Sequence, residues 1–138
     1  MQSIAEIEQE IIEEFNIYDD WMDKYEYLIS YGKDLAPLEE SYKTDDRLIR
    51  GCQSKVWLNA DFDGEVMHFK ADADAIVTKG IIGLLVRVLN HQTPANIAKA
   101  DLNFIDAIGL KEHLSPTRSN GLLSMVKQMK MASIQAIS

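Results

Sequence analysis

The chain has 138 residues, 46% hydrophobic and 26% charged, which is enough for one domain with a substantial core. We therefore expect a single domain over residues 1–138. Its one cysteine, Cys52, excludes an intrachain disulfide, a CxxC redox pair and the usual structural zinc and iron–sulfur sites, which need more thiols. The net charge of −8 argues against a nucleic-acid binder, which needs a basic excess. Protein partners or small ligands are expected instead.

Charge is unevenly distributed along the chain. Residues 1–46 contain 14 acids and 3 bases, and the remainder contains 8 acids and 11 bases, which favours a solvated acidic helical face at the amino-terminal end. No basic segment followed by an apolar run opens the chain, and the most apolar stretch, residues 80–89, is about half a membrane span. These features predict a cytoplasmic protein without a membrane segment, and an unpaired thiol fits that reducing compartment.

Two amphipathic helices are predicted in the first third. Residues 3–15 space their apolar side chains at helical intervals and open with a capping box at Ser3. A second helix is predicted from about 19 to 31, with Gly32 as its stop. Residues 33–46 show no sustained period, so we predict a loop there.

A β-hairpin is predicted around Asp63-Gly64, a dipeptide that favours a two-residue type I′ turn. Its strands would be residues 55–62 and 65–71, with Phe62 opposite Glu65. That register places apolar side chains on one face and mostly polar side chains on the other.

Helices are predicted again after the hairpin. Residues 75–89 are apolar nearly all round, which indicates a buried helix packed on the apolar face of the sheet. Short turns follow at Thr93-Pro94 and at 101–108, and the last helix begins at Ser115-Pro116. This order predicts an α+β fold, a small antiparallel sheet with helices packed on one face.

The local pattern around Cys52 leaves two interpretations open. Arg50 would lower the thiol pKa from its free value of roughly 8.5, and Gly51 would let a partner's backbone come close. Free cysteines are, however, commonly buried and inert, and strand parity extended back from Val56 points Cys52 towards the core. Local pattern alone favours the inert interpretation.

Few other residues suggest chemistry. The three histidines, His68, His91 and His113, lack metal-ligand spacing, so no metal site is predicted. Asp72 and Asp74 could form a carboxylate pair, but capping of the helix that follows is the favoured interpretation.

Arg118 is predicted to lie in the first turn of the last helix, where a cation opposes the helix dipole. Two explanations stay open. Arg118 and free backbone N–H groups could bind an anion such as a thiolate or persulfide, or Arg118 could form a salt bridge with the acidic first third.

Three separated blocks occur in order along nearly the whole chain: GCQSKVWL at 51–58, DADAIVTKG at 72–80 and HLSPTRSNGL at 113–122. Together they resemble the SufE family of sulfur-acceptor proteins. The resemblance implies an α+β fold akin to the IscU-type iron–sulfur scaffold. It also implies that Cys52 accepts sulfane sulfur as a persulfide from a PLP-dependent cysteine desulfurase of the SufS or CsdA type, and passes it towards a SufBCD-like scaffold.

In this interpretation PLP belongs to the partner, this chain needs no cofactor, and one thiol suffices to carry one sulfur atom. Basic residues near the thiol would favour the thiolate, and an inward-facing Cys52 would swing out on docking. Arg50 stands where many relatives have proline, which raises local positive charge. The residues implied to form the site or contact the partner are Arg50, Gly51, Gln53, Ser54, Asp74, Lys79 and Arg118.

The protein so described is a persulfide carrier and desulfurase activator rather than a stand-alone enzyme. The alternative is a non-catalytic docking module that regulates a desulfurase and whose Cys52 is structural.

Overall fold

The first helix begins as its capping pattern predicts. In the computed structural model, which describes residues 2–138, α1 spans Ile4–Asn16. Ser3 Oγ accepts the Glu6 N–H at 3.1 Å, and the Glu6 carboxylate accepts the Ser3 N–H at 3.1 Å. This reciprocal pair satisfies two of the N–H groups that a helix start leaves free, so the capping box is confirmed.

The second helix, α2, spans Trp21–Asp34 and continues past Gly32, so the predicted stop is wrong. Gly32 is buried where α2 crosses a later helix, and a Cβ there would lie 2.9 Å from the backbone nitrogen of Gly80. The glycine therefore permits a close backbone approach rather than a helix end. The next segment is a loop, as predicted, apart from short 3₁₀ turns at Glu40–Tyr42 and Asp45–Arg47.

The hairpin consists of β1 (Val56–Phe62) and β2 (Met67–Ala73), paired antiparallel with Phe62 opposite Met67. The predicted two-residue turn is wrong, because the Asp63 carboxylate accepts the N–H groups of Glu65 and Val66, each at 2.8 Å, and thereby stabilises a longer loop. Relative to the predicted register, the pairing of β2 with β1 is shifted by two residues. An even shift leaves every side chain on its predicted face, so the apolar face is still buried.

The third helix, α3 (Ile76–Leu89), packs against both the sheet and α2, and most of its residues are buried. The predicted capping by Asp72 or Asp74 is wrong, since the N-cap is Ala75 and no side chain caps the helix. Asp74 instead binds the Lys55 N–H, and Asp72 forms ion pairs with two lysines.

Four helices complete the chain: α4 (Pro94–Lys99), α5 (Phe104–Ala107), α6 (Leu110–His113) and α7 (Pro116–Ala136). Ser115 caps α7 as predicted, while α6 gave no separate signal because it is only one turn long. α7 packs on α4 and α3 and reaches β1. The α+β fold, a two-stranded antiparallel sheet with helices around it, is confirmed. No helix among residues 2–138 has the length and apolar character needed to span a bilayer.

A polar network joins the first three helices. Arg87 of α3 donates to both carboxylate oxygens of Glu14 at 2.7 and 2.8 Å, and Tyr27 and Tyr31 of α2 donate hydroxyl hydrogen bonds to the same carboxylate. These donors, Arg87 first, lower the pKa of Glu14 to about 2.

We expect Glu14→Gln to destabilise the protein by about 1–2 kcal/mol at pH 7, less than the pKa shift alone implies because both partners are about a third exposed. A carboxyl whose folded pKa is lowered stabilises the fold above its unfolded pKa. The difference between wild type and variant should therefore shrink as the pH falls from about 4.5 to about 2. Urea unfolding of wild type and Glu14→Gln at several pH values measures this difference in stability. Glu13→Gln, which changes an exposed carboxylate, is the control. A difference independent of pH would contradict the assignment.

Candidate functional site

Cys52 lies in a short loop, residues 50–55, whose two ends are held together. Ile49 N–H donates to Val56 C=O at 2.8 Å, which closes the loop at its base. On the far side the Asp74 carboxylate accepts the Lys55 N–H at 2.9 Å, and the Asp74 N–H donates to Lys55 C=O at 3.1 Å. The loop is therefore fixed at its ends by backbone hydrogen bonds.

The middle of this loop lies on α7. Gly51 has a φ of +92°, a conformation that side chains rarely adopt, and a Cβ there would collide with Ser124 Oγ of α7. The Cys52 thiol donates to Gly121 C=O with a sulfur–oxygen distance of 3.6 Å. A Cβ on Gly121 would lie 3.5 Å from the Cys52 sulfur, an ordinary contact, so the thiol packs directly against this position and only a side chain larger than a methyl group would displace it.

A cleft of about 280 Å³ opens beside the thiol, between the loop, α3 and the start of α7. Most of its side chains are polar, and Ser54 and the buried Thr78 are hydrogen-bonded to each other at 3.3 Å between their hydroxyl oxygens. The lining residues are Cys52, Gln53, Ser54, Thr78, Ile81, Ser115, Thr117, Arg118, Gly121 and Met125. The cleft thus brings the thiol and the start of α7 together.

The thiol itself is half-buried and packs against the core, as strand parity predicts. Burial raises the pKa of Cys52 above its ordinary value, because a thiolate loses hydration there. The expectation that basic residues lower this pKa is therefore wrong for the resting structure. At neutral pH the resting side chain is a protonated thiol, which is the form that donates to Gly121.

Arg118 occupies the first turn of α7, as predicted, and lines the same cleft as Cys52. Its guanidinium is exposed and forms no salt bridge within residues 2–138, so of the two open explanations the salt bridge to the acidic first third is contradicted. Fewer backbone N–H groups at the start of α7 are free to bind an anion than expected. Ser115 Oγ accepts the Arg118 N–H at 3.2 Å, and Pro116 has no N–H group. The available cation, rather than the helix end, is the main positive feature of the cleft.

The other predicted residues are divided between the cleft and its surroundings. Gln53 and Ser54 line the cleft, whereas Arg50 is exposed and lines a second depression on the loop together with Cys52. Asp74 lies at the base of the loop, and Lys79 pairs with Asp72 at 3.3 Å, outside the lining of the cleft.

Sequence reasoning missed four residues of the loop's surroundings: Thr78, Thr117, Gly121 and Ser124. Gly121 was the one with a visible signal, because a glycine inside a helix commonly marks a close approach. Among the residues that the structure describes, no group of three or more His, Cys, Asp or Glu side chains is arranged to hold a metal ion.

Fold and cleft together define a small α+β protein with a single thiol sheltered in a polar cleft. The family model of the SufE Fe-S metabolism associated domain matches residues 9–133, and the chain belongs to this family. Membership associates the chain with iron–sulfur metabolism.

Relatives agree with this assignment. The chain is 37% identical to an uncharacterized SufE-like protein of Rhizobium etli, over 92% of this chain and 88% of that one. It is 39% identical to an uncharacterized SufE-like protein of Synechocystis, over 90% and 78%. A chloroplastic/mitochondrial SufE-like protein of Arabidopsis thaliana is 41% identical over 88% of this chain, which spans only 33% of that longer protein.

A solved structure supports the fold alone. The solution structure of a hypothetical protein from Thermus thermophilus superimposes with a TM-score of 0.78 at 20% identity, covering 95% of this chain and 96% of that one. The arrangement of helices around a small sheet is therefore shared with a structure of distant sequence.

Proposed function

We propose that this protein accepts sulfur on Cys52 from a PLP-dependent cysteine desulfurase, stimulates that enzyme, and passes the sulfur towards an iron–sulfur scaffold. The observation that supports this best is the position of the only thiol, in a cleft that it shares with the unpaired cation Arg118. Membership of the SufE family supports the same field of chemistry.

The transfer step requires one thiol and no net oxidation. The Cys52 thiolate attacks the terminal sulfur of the desulfurase cysteine persulfide, a new sulfur–sulfur bond forms on Cys52, and the desulfurase cysteine leaves as thiolate. The proton lost from Cys52 balances the one that the departing thiolate takes up. With no second cysteine in the chain, no internal thiol can form a disulfide with Cys52 and release the bound sulfur as sulfide.

The raised pKa of Cys52 means that the resting thiol is poorly nucleophilic. In our proposal, docking of the desulfurase moves the loop off α7, which breaks the contact with Gly121 and returns the thiol to water. Its pKa then falls towards the ordinary value, so the reactive form appears only beside the donor. After transfer, return to the cleft shields the persulfide from reductants and oxidation.

Arg118 gives this cycle a place for negative charge. A persulfide is an anion near neutral pH, and an unpaired guanidinium on the cleft wall would stabilise it without a competing carboxylate. The downstream recipient in our proposal is a SufBCD-like scaffold, PLP stays on the desulfurase, and this chain works in the cytoplasm without a cofactor. Neither nucleic acid nor membrane is a partner in this scheme.

The alternative is a docking module with a structural Cys52, and the packing of the thiol against the core favours it. The two functions differ in one assay. We expect Cys52→Ala to abolish stimulation of the desulfurase while leaving its binding within a few-fold of wild type. Sulfide release measures the stimulation of desulfurase turnover, and calorimetry measures the affinity for the desulfurase. Ser124→Ala, a substitution next to the loop, is the control. Full stimulation by Cys52→Ala would establish the docking module instead.

We further expect Arg118→Ala to reduce desulfurase stimulation several-fold, since Arg118 is exposed and loss of an exposed cation–anion contact costs up to about 1 kcal/mol. The matched control is Lys99→Ala, which removes an exposed cation from α4, away from the cleft. Stimulation is measured at equal protein concentrations in both variants. Equal losses in both would show that only the net charge matters.

A further inference from the structure

The outer surface of α7 is unusually apolar. Eight large apolar side chains are exposed among residues 2–138, and half of them belong to α7 or its C-cap. Their exposed fractions are 49% for Leu123, 41% for Met131, 51% for Ile134 and 56% for Ile137. Together with Lys127 they follow the i, i+4, i+8, i+11, i+14 spacing of one helix face, about 21 Å long. We call these five residues the outer face of α7.

The core does not need this face. α7 already buries a different set of residues against the domain: Gly121, Leu122, Met125, Met129 and Ser133. Single exposed apolar residues are ordinary, but a continuous row on one helix marks an interaction surface.

The charge of α7 indicates what would cover the row. Lys127 is exposed, whereas Lys130 donates to Ala100 C=O and Arg118 lines the cleft beside Cys52. Residues 113–138 contain no acid, although the chain as a whole has a net charge of −8. Lys127 lies within the apolar row itself. The complementary surface is therefore mostly apolar, with acidic groups opposite Lys127.

A second copy of this chain fits poorly, because its acidic segment around Asp19 and Asp20 exposes only two large apolar side chains, Ile17 and Met22, fewer than the four of this row. Pairing α7 with another α7 would bring like charges together around Lys127. The acidic helix α1 uses its apolar residues in its own core, where Ile4, Ile7, Ile11 and Phe15 are all at most 8% exposed. A bilayer is also disfavoured, because a helix that lies on a membrane usually presents Trp or Phe on its apolar face, and α7 contains no aromatic residue.

We propose that the outer face of α7 is a docking surface for an acidic amphipathic helix of another protein. The apolar stripe of that helix would lie along Leu123 and Ile134, and its carboxylates would flank Lys127. A helix of about four turns matches the length of the row. The inference does not depend on sulfur transfer by Cys52.

The test uses a defined probe. A fluorescein-labelled synthetic helix of about 16 residues has leucine at i, i+4, i+7 and i+11, glutamate beside the leucines and alanine elsewhere. Its binding to the full chain is followed by fluorescence anisotropy. We expect wild type to bind the probe saturably. The affinity should fall at least tenfold in Ile134→Glu and several-fold in Lys127→Glu, and it should also fall at higher salt. The matched control, Ile17→Glu, changes an apolar residue at the C-cap of α1 that is 74% exposed, and this variant should bind the probe as wild type does.

Several outcomes would overturn the proposal. In the binding assay these are the absence of saturable binding, an equal loss of affinity in Ile134→Glu and Ile17→Glu, and equal binding of a probe with lysine in place of glutamate. A dimer in size-exclusion chromatography that Ile134→Glu dissociates would also overturn it. Cosedimentation with phosphatidylserine vesicles that Ile134→Glu abolishes would assign the face to a membrane and overturn it as well. Since Lys127 is exposed, Lys127→Glu keeps the test decisive should Ile134→Glu fail to fold.

Discussion

A Gly121→Leu variant should expose Cys52 and raise its rate of alkylation by iodoacetamide at least about tenfold near pH 7.5. A Cβ at this position already lies 3.5 Å from the thiol sulfur, so the larger side chain would occupy the space that Cys52 now fills. In water the pKa of the thiol falls back towards its ordinary value. While the pH stays below the pKa, each unit by which the pKa falls raises the fraction of thiolate about tenfold.

The control for this prediction is Gly121→Ala, whose added methyl group makes an ordinary contact with the sulfur and should leave the rate near that of wild type. The pH dependence gives a second measure. The alkylation midpoint of wild type should lie above that of the unfolded chain in urea, and the midpoint of Gly121→Leu should approach the unfolded value. A folded Gly121→Leu protein with the wild-type rate would show that burial does not control the thiol.

The second large effect is on stability. Gly80→Ala should cost about 2–4 kcal/mol, even though alanine favours a helix over glycine by about 1 kcal/mol. A Cβ on Gly80 would lie 2.5 Å from the carbonyl oxygen of Leu28 and 3.0 Å from its carbonyl carbon. These are backbone atoms of α2, which cannot rotate away as a side chain would, so the two helices would have to separate.

Urea unfolding followed by circular dichroism measures this loss, again with Gly121→Ala as the control. That substitution also replaces a buried helical glycine, but it makes only an ordinary contact and should be neutral or slightly stabilising. If both variants unfolded at the same urea concentration, the close approach of α2 and α3 would not limit stability.

Local signals predicted the helix starts well. Ser3, Thr93 and Ser115 each accept a backbone N–H in the turn that follows, which is chemistry contained within four residues. The sheet faces were also predictable, since alternation of apolar and polar residues survives a register shift of two.

Features that depend on distant contacts were not predictable. Gly32 has the appearance of a helix stop, and only the presence of Gly80 across the interface explains why α2 continues. Asp74 was interpreted as a cap because its true partner, Lys55, lies 19 residues earlier in the chain. The charge near Cys52 suggested a lowered pKa, whereas packing against α7 raises it.

The candidate site shows the same division. The resemblance in three blocks identified Cys52, Gln53, Ser54 and Arg118 before their shared cleft was known. It did not show that Lys79 pairs with Asp72 away from the cleft, or that the thiol packs against Gly121. The first fact depends on how α3 packs on β2, and the second on how α7 packs on the loop.

The central claim is that Cys52 carries sulfur, and intact-mass spectrometry tests it most directly. The purified protein is incubated with an active cysteine desulfurase and cysteine, then weighed before and after treatment with a thiol reductant. The account predicts that wild type gains the mass of one sulfur atom, that the reductant removes it, and that Cys52→Ser gains nothing. No added sulfur on wild type, or sulfur that persists on Cys52→Ser, would contradict it.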